Sequence, residues 1–309
     1  MQLTREQFDR VKAYVMREAR PLDRQLFRYY FEGGDSDKVA RELAAFQNED
    51  GGFGHSLEPD FRLIASSSLA TTVGMQYARA IGLPSEHPIV KGAIGYFLNK
   101  YDEKKKKWQI VPKEVNNVPH APWWHFDEGN DFPGEHDSWA NPGAEIVAYL
   151  YEHRSLVPAT FLAEVTENAM QAARTAPLEM EIHDFYCFAR LLDVIPDPYR
   201  TELFDKLSSS VRVITALGPS EWDDYGAKPL QIAPSPHSPF APLLEKQIAE
   251  NLDYEIKQLG EEGYWKPNWS WFGHYEDVWK QAEIEWRGYL TVHMLKVLQN
   301  YGRLETSQD

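Results

Sequence analysis

The chain has 309 residues, 43% hydrophobic and 26% charged, an ordinary globular composition long enough to bury a large core. Its net charge of −15 argues against a phosphate-backbone partner and an anionic membrane surface, so nucleic acid is not expected as a partner. The single cysteine, Cys187, excludes an internal disulfide; with a charged N-terminus lacking an apolar run and no segment apolar enough to span a bilayer, the expected location is cytoplasmic.

Thr4 reads as a helix N-cap, with Phe8, Val11, Tyr14 and Val15 at helical spacing behind it. Pro21 and Leu22 open a second helix through Phe27, Tyr30 and Phe31, stopped by Gly33 and Gly34. Val39, Leu43 and Phe46 mark a third, over 37–46. A polar, glycine-rich turn from Gln47 to Gly54 follows, then an acidic link with Glu58 and Asp60. Ser66, Ser67 and Ser68 lead into a helix over 69–81, and another spans 88–101 with Ile89, Ala93, Tyr96 and Phe97 on one face. The run Lys104 to Lys107 reads as a solvated helix end that suits the helix dipole.

The stretch 108–140 reads as non-helical, broken by Pro112, Pro119, Pro122 and Pro133 with Gly129 and Gly134. It carries Trp108, Trp123, Trp124 and Trp139 with His120, His125 and His136, more aromatics than a disordered linker holds. It is expected to pack across something, as a lid or binding loop. Helices resume at Asn141, a good N-cap with Pro142 at the first helical position and Glu145 in the first turn. Helical runs over 158–174, 178–194 and 198–217 follow. A second irregular stretch, 221–242, holds Trp222, Asp223 and Asp224. A helix over 243–259, an aromatic insert over 260–281 and a helix over 282–300 close the chain.

No alternating strand pattern of any length appears, so the chain reads as all-α, about ten helices in pairs. Solenoids repeat at short regular periods, whereas the spacing here is uneven and interrupted by aromatic loops. The expected architecture is a closed α/α toroid, a single domain over 1–309 with loop insertions at 108–140, 221–242 and 260–281.

The turn QNEDGGFG, starting at Gln47, has a worn copy in QLGEEGYW, with Gln258, Gly263, Tyr264 and Trp265. The first resembles the repeat of the prenyltransferase and squalene-cyclase superfamily, in which a Gln side chain and an aromatic ring stack where outer and inner helices join. The second is similar to that superfamily's QW motif. Together the copies cover about a tenth of the chain, and the resemblance implies an α/α barrel of about six helix pairs. It further implies a bulky apolar, isoprenoid-type small molecule bound in a central cavity. The chain departs from the family at its chemistry. It has no D-x-D-D motif, with which class II terpene cyclases protonate an alkene. Asp184 and Cys187, in DFYC, do not match the D-x-C zinc pair of protein prenyltransferases.

All ten tryptophans lie between Trp108 and Trp286. Trp123, Trp124, Trp222, Trp269 and Trp271, with His120 and His274, are the candidate substrate-binding residues. Their rigid rings suit an apolar ligand, a carbocation or stacked sugar rings. The plainer reading is that they fasten long loops to helix ends. Asp224, Asp60, Glu145 and Asp223 are the candidate catalytic residues, although acids at such positions, Glu58, Glu283 and Glu285 among them, often serve as caps or dipole partners. A desolvated aromatic pocket raises a carboxyl pKa, which would make Asp224, between Trp222 and Tyr225, a general acid. Asp60, beside Phe61, would be its partner or stabilise developing positive charge.

The loop histidines lack metal-ligand spacing, so no metal and no cofactor are expected. There is no phosphate-binding G-x-x-x-x-G-K-[ST] and no G-x-S-x-G. Three functions stay open: an isoprenoid-binding, terpenoid-cyclase-like or prenyltransferase-like protein with acid catalysis, a carbohydrate-active hydrolase or lyase on an α/α barrel, and a non-catalytic binding protein on the same fold.

Overall fold

The computed structural model describes residues 1–134 and 137–305; His136, named above, and the tail from 306 lie outside the described residues. The helices are α1 (Arg5–Glu18), α2 (Pro21–Phe31), α3 (Ser36–Ala44), α4 (Ser68–Ala80), α5 (Pro88–Lys100), α6 (Ala140–Glu152), α7 (Ala159–Thr175), α8 (Ile182–Leu192), α9 (Tyr199–Ile214), α10 (Pro229–Ile232), α11 (Glu245–Gln258) and α12 (Glu276–Asn300). Among the described residues the one sheet is a short hairpin pairing β1 (Tyr101–Asp102) with β2 (Lys107–Trp108). The chain is therefore mostly helical, as the periodicity predicts. It divides into two compact units: unit 1 holds Met1–Val39, Val211–Ser270 and the chain from Asp277, and unit 2 holds Ala40–Ser210 and Trp271–Glu276.

In unit 1, α1 starts at a capping box in which Gln7 N–H donates to Thr4 Oγ1 at 3.2 Å and Thr4 N–H donates to Gln7 Oε1 at 2.9 Å. Val11, Tyr14 and Val15 bury the face that meets α2, where Leu22, Leu26 and Phe27 are buried. Along α12, Ala282, Glu285, Gly288, Thr291, Val292, Leu295 and Leu298 form a buried stripe at helical spacing. A Cβ at Gly288 would stand 2.8 Å from that of Ala19, so the backbone there must be bare. α12 begins at Glu276, inside the expected 260–281 loop. Its acidic opening, Glu276 and Asp277, suits the positive end of the helix dipole, a signal hidden by the aromatic insert before it.

In unit 2, α6 is the central helix: it packs on α8, α7 and α4, and Ala144, Ile146, Val147, Ala148, Tyr149 and Leu150 are fully buried. At its start Asn141 has the non-helical backbone expected of a cap position, φ −101° and ψ 106°, just ahead of Pro142, and the Asn141–Pro142 peptide is cis. The lysine run is solvent-exposed at Lys104 to Lys106, as expected, but lies beyond the end of α5. It turns the hairpin, with the N–H groups of Lys104 and Lys105 on Asp102 Oδ1 at 2.9 and 3.0 Å. Its side chains staple neighbouring segments through Lys105–Asp131, Lys106–Glu164 and Lys107–Asp137.

Each unit contains one copy of the glycine–aromatic joint. In unit 2, Gln47 Nε2 donates to Gly51 O at 2.8 Å and to Ile89 O, at the start of α5, at 2.9 Å. Phe53, fully buried, donates its N–H to Thr71 Oγ1 of α4 at 2.9 Å. Gly51, at φ +84°, lies so close to α5 that a Cβ would meet Gly92 O at 2.2 Å. In unit 1, Trp265 N–H donates to Thr291 Oγ1 of α12 at 3.0 Å, and Gly263, at φ +80°, abuts Arg10 of α1. Glycine two before the aromatic, and threonine on the next helix, recur in both. The glutamine does not: aligning the aromatics puts buried Leu259 opposite Gln47, while Gln258 is exposed.

Candidate functional site

In unit 2 the acidic link is drawn into a compact turn. His55 and Ser56 adopt left-handed backbone, at φ 52° and 60°, and deliver Glu58 and Asp60 inward. Non-glycine residues held there are strained, and such strain concentrates at functional sites. Glu58 and Asp60 are only 6% and 4% exposed. A Glu58 carboxylate oxygen accepts the Asp60 N–H at 2.8 Å. The segment around Asp60 pairs with the His-Ala-Pro-Trp-Trp run: Arg62 N–H donates to Pro119 O at 2.9 Å, Ala121 N–H donates to Asp60 O at 2.7 Å, and Phe61 bridges His120. Phe61 meets the buried Trp124 ring edge-on at 5.9 Å.

The third component is the segment Trp271–Glu276. Trp271 is fully buried and its indole N–H donates to Asp60 Oδ1 at 2.8 Å. Phe272 and Tyr275 are again left-handed, at φ 51° and 46°. Their rings stay outside: Phe272 is 74% exposed and meets half-buried Trp123 edge-on at 6.5 Å, and Tyr275 is 46% exposed, 5.8 Å from the His120 ring. Phe272 against half-buried Trp123, and Tyr275 beside His120, thus present exposed rings on the segment that begins with the Asp60 partner Trp271.

His120 is buried and doubly engaged. Its Nδ1 stands 2.6 Å from Val118 O, and its Nε2 stands 3.1 Å from Nδ1 of exposed His125, the rings stacked within 7° of parallel. Burial pushes the His120 pKa below the usual imidazole value; the Val118 carbonyl opposes this, and nearby His125 and His274 add to it. The lowered pKa favours the neutral form of His120. His274 is exposed, its N–H on Trp271 O at 2.9 Å.

Glu145, also in unit 2, serves a different cluster. Its Oε1 accepts from Gln76 Nε2 of α4 at 2.8 Å and from the Tyr149 hydroxyl at 2.7 Å. Its Oε2 faces Arg190 at 3.2 Å and Cys187 at 3.7 Å, both on α8. Burial drives the Tyr149 and Cys187 pKa values well up. With both oxygens engaged, Glu145 ties α4, α6 and α8 together rather than capping a helix. A cavity of about 360 Å³ opens elsewhere in unit 2, lined by Lys105, Lys107, Lys113, Asp131, Ser138 and Asn141 among others. Its ammonium and carboxylate groups largely neutralise one another, Asp131 bridging Lys105 and Lys113.

The remaining candidates belong to unit 1. Trp222 is fully buried, its N–H on Ala216 O at 2.8 Å, and it fastens its loop. Asp223 and Asp224 are exposed, so the desolvation expected to make Asp224 an acid is absent. Asp223 accepts the Tyr254 hydroxyl, and the Asp224 backbone carbonyl accepts Asn268 Nδ2 at 2.7 Å. Trp269 is half-buried, between the Tyr225 and Trp286 rings. Unit 2 thus gathers Asp60, His120, Trp123, Trp124, Trp271 and His274, while Trp222, Asp223, Asp224 and Trp269 lie in unit 1.

From sequence, Glu58 is weighed among the acids that cap helices or converge at a site but is not chosen, His125 is weighed only as a metal ligand, and Phe272 and Tyr275 are passed over. The available signal was composition: His125 directly follows Trp123-Trp124, and Phe272 and Tyr275 flank Gly273 beside Trp271. Among the described residues no group of three or more His, Cys, Asp or Glu is placed to hold a metal ion. Nor is any described helix long and apolar enough to cross a membrane. Compared with protein-family models, with curated proteins and with solved structures, the chain matches none.

Proposed function

We propose that unit 2 binds a bulky isoprenoid-type or ring-bearing small molecule against the half-buried ring of Trp123 and the exposed rings of Phe272 and Tyr275, with the nearby Asp60 carboxylate stabilising positive charge. The observation that carries this reading is the Trp271 indole N–H on Asp60 at 2.8 Å, which ties a buried carboxylate to the segment bearing exposed Phe272 and Tyr275. Aromatic faces and a fixed anion both favour a cationic or electron-poor ligand centre. The superfamily resemblance of the Gln47 turn supports an isoprenoid, and an α/α toroid of about six helix pairs belongs to the same reading. The glycine–aromatic joint, recurring once in each unit, supports it.

A second reading is favoured by the same rings, with Glu58 and Asp60 nearby: a carbohydrate-active site, where aromatic faces stack on sugar rings and carboxylates act on the glycosidic bond. Titration with farnesol and with soluble oligosaccharides, followed by tryptophan fluorescence, separates the two. The isoprenoid reading predicts a saturable change with farnesol only. A change with oligosaccharides alone favours the second reading, and no change with either at high micromolar ligand removes both.

A further inference from the structure

The His120–His125 pair has a direction that its neighbours dictate. Val118 offers only a carbonyl oxygen, an acceptor, so the His120 nitrogen at 2.6 Å from it carries the proton. A neutral imidazole has one N–H, which leaves His120 Nε2 bare. The facing His125 Nδ1, 3.1 Å away, must then be the donor. When His125 is neutral its single proton is committed to that bond, and its Nε2 is an acceptor on an exposed ring. Other titratable groups facing the pair are His274 and Tyr275.

We propose that the ligand of this site carries an oxygen function, a hydroxyl group, and that His125 is the residue that accepts its hydrogen bond, with His120 as the positioning residue that fixes the tautomer. This rests on the small-molecule reading of unit 2 and narrows its ligand class. A hydrocarbon would cover the His125 acceptor without pairing it, and burying an unpaired polar group is unfavourable. A hydroxyl-bearing molecule keeps that acceptor satisfied while its apolar part lies on Trp123, Phe272 and Tyr275.

The test compares farnesol with the hydrocarbon farnesene on the wild-type chain, His125→Ala and His120→Gln, with soluble oligosaccharides as a second hydroxyl-bearing class. Wild type should bind farnesol about three- to tenfold more tightly than farnesene. His125→Ala should remove that preference while leaving farnesene affinity unchanged. His120→Gln should weaken it, and nitrogen-15 NMR should show the His125 proton on Nδ1 in wild type only. Oligosaccharide binding that falls in His125→Ala, without farnesol binding, keeps this inference and sinks the isoprenoid reading. Equal affinity for alcohol and hydrocarbon, a preference that survives in His125→Ala, or binding of neither class overturns the inference.

Discussion

The indole N–H of Trp271 donates to Asp60 Oδ1 at 2.8 Å, joining buried residues 211 positions apart in sequence. It ties the segment carrying Phe272 and Tyr275 to the turn carrying Glu58 and Asp60. Hydrogen bonds to a charged group in a buried setting contribute roughly 1.5–3 kcal/mol, about twice a neutral one.

Trp271→Phe keeps most of the ring and removes the donor. It should lower unfolding free energy in urea by about 1–3 kcal/mol. In an Asp60→Asn background the same change should cost clearly less, giving a coupling energy in a double-mutant cycle. Strict additivity would mean that the bond contributes nothing to stability.

The two joints predict a pair of sensitive glycines. Gly51→Ala and Gly263→Ala each force a side chain onto left-handed backbone and into a neighbouring helix, at 2.2 Å from Gly92 O and 2.8 Å from Arg10 O. Each should destabilise by more than ~1 kcal/mol. Gly302 is also left-handed but has nothing within 4 Å of its would-be Cβ, so Gly302→Ala should be the mildest of the three by thermal melting. If Gly302→Ala matches the other two, close packing at the joints is not what matters.

These joints also show what the sequence made legible. Capping at Thr4, the proline at the start of α2 and the stripe through α4 are local signals, and helices follow from them. The Gln47 turn was readable because a glycine at positive φ and a buried aromatic leave fixed letters. Asp60 could be picked out by its neighbours. Its partner could not, because no local rule links it to a tryptophan 211 positions away. Asp224, flanked by Trp222 and Tyr225, looked equally good; yet Trp222 turns inward and Asp224 outward, and adjacency in sequence does not report side-chain direction. His125 was passed over because its contact with His120 is a through-space one that local pattern does not report.

Asp184 gives a pH signature. Burial is the main cause that raises its pKa from the ordinary 3.8 to about 6, and its Oδ1 is buried without a hydrogen-bond partner. Between those values the unfolded chain loses this proton while the folded chain keeps it. Asp184 therefore costs stability as pH rises through that window, and the full cost is present above it. Asp184→Asn should raise the melting temperature at pH 7 and change it little at pH 4. An equal shift at both values would show that the carboxyl titrates alike folded and unfolded.

Glu145 predicts a stability effect in place of a catalytic one. Glu145→Ala removes the acceptor of Gln76 and Tyr149 and the carboxylate facing Arg190 where α4, α6 and α8 meet, and should cost about 3–5 kcal/mol in denaturant unfolding. Ligand affinity per folded molecule should be unchanged. A stable Glu145→Ala protein with weakened binding would move Glu145 into the site.

The central claim is that a small molecule sits on Trp123 and Phe272 near the Asp60–Trp271 bond. Isothermal titration of whichever hydroxyl-bearing ligand, farnesol or a soluble oligosaccharide, binds the wild-type chain tests it, using Trp123→Ala/Phe272→Ala with a matched melting temperature. Each stacked ring contributes about 0.5–1.5 kcal/mol, so the double variant should bind roughly tenfold more weakly or worse. Unchanged affinity in that variant, or no saturable binding of either class to wild type, contradicts the account.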